Sequence, residues 1–270
     1  KTSDLEGYYQ IFATFNTVDA MGANFINSCL EEFSQIFYNS ISLYKGDKLN
    51  INDIEIIMSI LSNHVPNCIV KSVVSCKVNE LNSLEPDTAN FAKRIIKAIE
   101  IANNDIFRAV THNKGIMNGV DAGALATGND FRAIEAGAHA YASTGNYKSL
   151  SNAYIKDDLF YFELKLPLAV GTVGGVTSLH PLVKIALEIL ENPNSKDLMK
   201  IIASVGLAQN FGALRSLVTT GIQKGHMKMH LTNLLNKYQA TEDEKEKALK
   251  YFSDKSVSSS SVENFIQKIR

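Results

Sequence analysis

The chain has 270 residues, 45% of them hydrophobic, enough for one large or two modest globular domains with a sizeable core. Lys and Arg number 27 against 28 Asp and Glu, so no net field draws nucleic acid or an anionic membrane surface, and any anion site has to be local. Cys29, Cys68 and Cys76 form no C-x-x-C pair and read as free thiols of a reducing compartment, while the six histidines include no H-E-x-x-H, which leaves metal catalysis without a motif. No run approaches the roughly 18 to 20 uninterrupted apolar residues of a membrane span, and the first ten residues lack the basic-then-apolar order of a signal peptide. The expectation is a cytoplasmic protein with no membrane contact.

In chain order, Tyr8 to Thr17 is rich in aromatic and β-branched residues and is expected as a strand. It runs straight into the turn Asp19-Ala-Met-Gly-Ala-Asn24, so the chain is expected to begin in mid-domain. From Asn24 the apolar positions Phe25, Cys29, Phe33, Ile36, Phe37 and Ile41 recur at intervals of three and four, which predicts an amphipathic helix with free N–H groups at its start. The polar stretch Lys45 to Asn52 ends this unit. Val65 to Val78 is β-rich, and a second helix is expected from Thr88 to about Asn103, with Phe91, Ile95, Ile96 and Ile99 on one side.

Between Thr111 and Ala142 a segment of small and apolar residues carries Lys114 and, sixteen positions on, Asp130. Lys114 lies between Asn113 and Gly115, where the backbone can approach a ligand closely, and Asp130 follows Gly128-Asn129 at an expected helix N-terminus. Buried Lys and Asp are rare unless paired, so these two read either as a charge site or as an ion pair that ties a loop to a helix. Tyr154 to Val170 reads as a hairpin in which Phe160, Phe162, Leu164 and Leu166 alternate with Tyr161, Glu163 and Lys165. The turn Gly171-Thr-Val-Gly-Gly175 matches no phosphate-binding fingerprint. Helical periodicity returns beyond Pro181, Leu198 to Val218 reads as a long buried helix, and Thr241 to Arg270 reads as two solvated helices forming a mobile cap. His226 stands at a helix break, where a lone histidine is more often a loop residue than a proton donor. Strands interspersed with helices make the chain α+β or mixed α/β.

Seven segments in order carry a resemblance. They are Asp19-Ala-Met-Gly-Ala-Asn24, Ser62-Asn63, Arg108 through Lys114 to Asn118, Thr127-Gly-Asn-Asp-Phe-Arg-Ala-Ile-Glu135, Gly171 to Gly175, Gly206-Leu-Ala-Gln-Asn210 and Gly221-Ile-Gln-Lys-Gly-His-Met227. Together they resemble hydroxymethylglutaryl-coenzyme A (HMG-CoA) reductase, in its class II, bacterial-type branch, over nearly the whole chain. The resemblance implies reduction of the HMG-CoA thioester by two equivalents of NADPH or NADH to mevalonate and CoA, using a Lys, an Asp, a Glu and a His. By motif the lysine is Lys114, the aspartate Asp130 and the histidine His226. Arg108 and Asn118 match positions that hold the hydroxymethylglutaryl part; Asp19, Met21, Asn24 and Asn63 match cofactor positions, with Gly171, Gly174 and Gly175 beside them.

The same resemblance implies an α+β fold: a large HMG-CoA-binding domain with an inserted small α/β cofactor-binding domain and a helical C-terminal flap. Here 1–66 would be the remainder of the small domain, 67–219 part of the large one, and 220–270 the flap. The family's catalytic glutamate belongs to an N-terminal E-N-V-I-G-like motif, which these residues lack. The expected partners are therefore HMG-CoA, mevalonate and CoA, the N-terminal portion of the same protein, and a second copy in a homodimer or higher symmetric oligomer. The alternative is a non-catalytic fragment or assembly subunit that binds nucleotide or CoA without the glutamate.

Overall fold

The computed structural model describes residues 6–43, 54–253 and 255–270, with the side chains of Ser42 and of 222–229 outside that description. The polar stretch expected at Lys45 to Asn52 also lies outside the described residues. The first helix, α1, spans Ala23–Ser42 and starts at Gly22, whose φ of 81° lies in the left-handed region that glycine adopts without penalty. The strand expected at Tyr8 to Thr17 does not form; the segment is extended, with one bridge at Tyr9, and leaves Tyr9, Ile11 and Phe12 exposed. Its composition suits a strand, but the pairing here is limited to that one bridge, too little to form a ladder.

The centre of the molecule is a three-stranded antiparallel sheet of β1 (Ile69–Lys77), β2 (Ser151–Lys156) and β3 (Leu159–Pro167), in the order β1-β3-β2. Asp157 and Asp158, both at positive φ, close the two-residue hairpin that joins β2 to β3. The alternation read from the sequence holds: Phe160, Phe162, Leu164 and Leu166 are each 2% exposed or less, while Lys165 faces solvent. Opposite them on β1 stand Cys76, Val74, Ser72 and Val70, of which Val70 is buried, Ser72 and Cys76 are half-buried and Val74 is exposed.

Helices cover that side. The short α2 (Val78–Ser83) leads to α3 (Phe91–Asn104), which buries Phe91, Ile95 and Ile99. Next come α4 (Ile106–Ala126) and α5 (Phe131–Ala142). The short α6 (Val176–Leu179) and α7 (Pro181–Ile189) precede α8 (Ser195–Val218), which packs along α4 and across β1 and β3. By length and composition α8 alone among the described helices could cross a bilayer. It is instead the central helix of the core, with Leu198, Ile202, Leu207 and Leu214 buried.

Lys114 lies in the middle of α4, so the reading of an ion pair that ties a loop to a helix does not apply. The glycines that suggested a loop are helix-packing residues: a Cβ on Gly119 would stand 2.8 Å from both the Gln209 Cβ and the Val205 carbonyl oxygen of α8, and one on Gly206 would stand 2.7 Å from Val120. Gly115 faces Ala213 and Gly123 faces Ile202 along the same seam. The two backbones can thus approach closely, and a stripe of glycines carries no hydrophobic periodicity for sequence reading to detect.

The C-terminal helices α9 (Ile222–Lys237), α10 (Glu242–Tyr251) and α11 (Ser259–Ile269) differ from the expectation of solvated elements. They enclose a second apolar cluster of Leu231, Leu234, Leu235, Ala248, Phe252, Val262 and Ile266. Their charged residues occupy the outer face, where Lys247 pairs with Asp243 at 2.6 Å and Lys250 with Glu246 at 2.9 Å. High charge density concealed a narrow apolar stripe.

Candidate active site

The exposed side of α4 carries Lys114 and Asn118, one helical turn apart, followed at the next turn by Asp121. Lys114 is exposed, and among the described residues no ion pair joins it to Asp130. Asp130 instead caps α5, where its Oδ1 accepts a hydrogen bond from the Ala133 N–H at 3.0 Å. That cap fixes the carboxylate and leaves its second oxygen toward solvent. Arg108, half-buried, sits on the first turn of α4.

Asn129, which precedes the capping aspartate, joins two of the sequence motifs. Its Oδ1 accepts from the Gly171 N–H at 2.8 Å, and its Nδ2 donates to the Gly171 carbonyl at 3.1 Å. Gly171 in turn lies against the Ala20–Met21 peptide, so closely that any Cβ there would strike the Met21 backbone nitrogen. The Asp19 carbonyl accepts from Thr172 N–H at 2.8 Å, and the Asp19 carboxylate accepts from Ser195 N–H at the start of α8, also at 2.8 Å. Asp19, Met21, Gly171, Asn129 and Asp130 therefore form one connected block, although 152 positions separate Asp19 from Gly171. Gly174 and Gly175 stand beyond it, exposed and at positive φ.

A second close approach brings in Asn63. A Cβ on Gly137 of α5 would stand 2.7 Å from the Asn63 carbonyl oxygen, and a small cavity opens there, lined by Met21, Ala23, Ser62, Asn63 and Ala133. Asn24 is exposed in the first turn of α1, which has neither a side-chain cap nor an acidic residue. His226 lies on α9, five residues beyond Gly221, and its side chain is outside the described residues.

Three features were not singled out in the sequence. Asp121 lies against Glu135 of α5 with its Oδ1 buried and without a hydrogen-bond partner; burial first, then the neighbouring Glu135 carboxylate, raise the Asp121 carboxyl to about 7. His112, 2% exposed, hydrogen-bonds Ser151 Oγ at 2.7 Å, and Ser151 Oγ donates to Asn210 of α8 at 2.8 Å. Gln209, exposed beside Asn210, packs against α4 at Gly119, next to Asn118. The motif Gly206 to Asn210 pointed to this helix but not to the division of labour within it: Gly206 for close packing, Asn210 for the buried network, Gln209 for the polar surface.

The HMG-CoA reductase family model, described as hydroxymethylglutaryl-coenzyme A reductase, matches residues 2–231. The chain belongs to that family. It is 40% identical over 227 residues to 3-hydroxy-3-methylglutaryl-coenzyme A reductase of Archaeoglobus fulgidus, covering 84% of this chain and 48% of that protein. A probable reductase of Borreliella burgdorferi is 37% identical over 239 residues, covering 87% and 53%. Among solved structures, class II HMG-CoA reductase of Streptococcus pneumoniae, bound to NADPH in open conformations, is 37% identical, with a TM-score of 0.67 over 94% of this chain and 60% of that one. The mixed helix-and-sheet fold is therefore that of class II HMG-CoA reductases, and the chain spans about half the length of the curated relatives it matches.

Proposed function

We propose that this chain carries the cofactor and charge sites of a cytoplasmic class II HMG-CoA reductase, which reduces HMG-CoA in two steps to mevalonate and CoA at the expense of two NADPH or NADH. The observation that carries this reading is the connected block in which the Asp19–Met21 turn, the Gly171 turn and the Asn129–Asp130 cap meet beside α4. On this division 1–66 belongs to the small cofactor domain, 67–219 to the large domain and 220–270 to the C-terminal flap. The N-terminal portion that relatives carry would supply the glutamate, and a second copy would complete a symmetric dimer.

The residues fit the cofactor. The uncapped start of α1 offers free N–H groups and the positive end of a 20-residue helix to a pyrophosphate. Met21, Asn24 and Asn63 surround that start, Asp19 pins it to α8, Gly171 lets the two turns pack together, and the exposed glycines at 174 and 175 give a ligand access past the turn. NAD(P)H supplies hydride. Each hydride addition leaves negative charge on the substrate oxygen, and Lys114 is the cation on α4 positioned to stabilise it, an effect worth about 3 to 4 kcal/mol when a comparable donor is removed. Asp130 stands at the head of the neighbouring helix as partner for that ammonium. Arg108 and Asn118 hold the hydroxymethylglutaryl group, and His226 returns a proton to the departing CoA thiolate.

The test is NAD(P)H oxidation dependent on HMG-CoA, by the full-length protein and by the 270-residue chain alone. Turnover is expected from the first and none from the second. A full-length protein that does not oxidise NAD(P)H with HMG-CoA would sink the reading. Robust turnover by the isolated chain, free of other fragments by mass spectrometry, would sink the assignment of the glutamate to the missing portion.

A further inference from the structure

Two groups on α4, one turn apart, are left over by the packing and are complementary in kind. Arg108 is half-buried and makes no hydrogen bond or ion pair among the described residues. His112, four residues on, is 2% exposed, and its Nδ1 is buried with no hydrogen-bond partner. A buried acceptor without a donor is costly, and so is a half-buried guanidinium without an acceptor.

The surrounding network decides which nitrogen of His112 carries the proton. Ser151 Oγ gives its single hydrogen to Asn210 Oδ1, so toward His112 it can only accept. Nε2 is therefore the protonated nitrogen, and Nδ1 presents a bare lone pair. Helical side chains lean back toward the N-terminus, which lays the His112 ring over the turn that bears Arg108. The two are close enough that the Arg108 charge, after burial, helps push the imidazole down to about 4, so the ring is neutral around pH 7.

We propose that His112 is a positioning residue for Arg108, its bare Nδ1 accepting one guanidinium N–H so that the remaining donors are presented as a fixed fork to a carboxylate of the substrate. The proposal rests on the reading that Arg108 holds the hydroxymethylglutaryl carboxylate. A neutral acceptor suits the task better than a second carboxylate would. Asp or Glu at this place would orient the guanidinium equally well but would neutralise it and repel the incoming anion. Asn113 holds the same turn from the other side, accepting from Leu150 N–H at 3.0 Å and donating to the Lys148 carbonyl at 2.8 Å, so the histidine has a rigid base.

Two substitutions separate the two nitrogens. His112→Gln keeps a donor near Nε2 for Ser151 and loses the Nδ1 acceptor; His112→Asn keeps an oxygen near Nδ1 and loses the donor. In the full-length protein, titrated calorimetrically with 3-hydroxy-3-methylglutarate, the Gln variant is expected to bind about tenfold or more weakly with little change in Tm. The Asn variant is expected to bind within about threefold of wild type while its Tm falls by about 2 to 4 °C. Wild-type affinity in the Gln variant, or equal losses of affinity and Tm in both, would overturn the proposal and leave His112 a packing residue. Arg108→Ala distinguishes the levels: if it abolishes binding while the Gln variant binds normally, this inference alone fails, and if it leaves binding unchanged, the carboxylate reading fails with it. Nitrogen-15 NMR of wild-type His112 needs no variant to fold, and a proton on Nδ1 at neutral pH would also overturn the proposal.

Discussion

The two sides of α4 differ in what they tolerate. One side is a buried seam with α8, where Gly119 and Gly206 allow backbone contact and His112 Nε2, Ser151 Oγ and Asn210 Oδ1 form a chain of hydrogen bonds. The other side carries Lys114 and Asn118 in the open, with no hydrogen bond or ion pair to either among the described residues. One rigid element thus separates structure from chemistry by half a turn of helix, and rigidity on the first side is what gives the second its geometry.

The largest effect tests that separation directly. In the full-length protein Lys114→Ala should lower kcat by a factor of about 100 to 1,000 with cofactor affinity nearly intact, because the lysine is asked to stabilise charge that develops on oxygen. Its unfolding free energy should stay within about 0.5 kcal/mol of wild type, since the side chain is exposed and has no ion pair among the described residues. A large loss of stability with modest loss of kcat would merge the two sides into one.

Five residues further on the outcome reverses. Gly119→Ala places a methyl group 2.8 Å from a backbone carbonyl and from the Gln209 Cβ. Overpacking costs about 1 to 3 kcal/mol, and alanine's better helix propensity returns up to about 1, so a net loss of about 1 to 2 kcal/mol is expected in urea unfolding. Asn118→Ala, one residue away on the open side, should leave stability unchanged and weaken substrate. If Gly119→Ala proved neutral, the seam would be looser than its contacts indicate.

The third measurement concerns the contact between α4 and α5. The Asp121 carboxyl rises to about 7 in the folded protein from an ordinary value near 4, so the unfolded chain releases its proton first as pH increases. Stability is accordingly full below about pH 4, declines toward pH 7 and levels off above it. Partial exposure reduces the size of the decline. Asp121→Asn keeps the shape but has no proton to lose, so the variant should gain on wild type between pH 5 and pH 8 in urea midpoints. Parallel pH profiles for the two proteins would remove Asp121 from this role.

How much of this was legible in the sequence follows from the kind of signal each element carries. Alternation in β3 and the three-four spacing of α1 and α3 are strong periodic signals, and all three elements lie where expected. Helix α4 carries a weaker signal, because Gly119, Ala109, Ala124, His112 and Asn113 interrupt the buried apolar positions Ile116, Met117 and Val120. The motifs identified Asp19, Gly171 and Asp130 as a set but not the residue that links them; Asn129 does so through a side-chain amide, a long-range contact that leaves no local pattern. Likewise the pairing of Asp121 with Glu135 depends on the angle between two helices.

The smallest effect provides a control far from both sides of α4. Thr241 and Glu244 form a capping box at the start of α10, with the Thr241 Oγ1 accepting from Glu244 N–H at 3.3 Å and the Glu244 carboxylate accepting from Thr241 N–H at 2.8 Å. The Arg270 hydrogen bond and that backbone bond hold the Glu244 carboxyl down to about 2. Thr241→Ala removes one half of the box and should cost about 1 kcal/mol, a cap's usual worth. Because α9, α10 and α11 enclose their own apolar cluster, the loss should appear as faster hydrogen exchange confined to α10 and its neighbours, with protection of α4 and α8 unchanged. Exchange that also accelerated in α4 would mean that the C-terminal helices and the α4–α8 seam unfold as one unit, and the contrast between the two sides of α4 would then be a property of the whole chain.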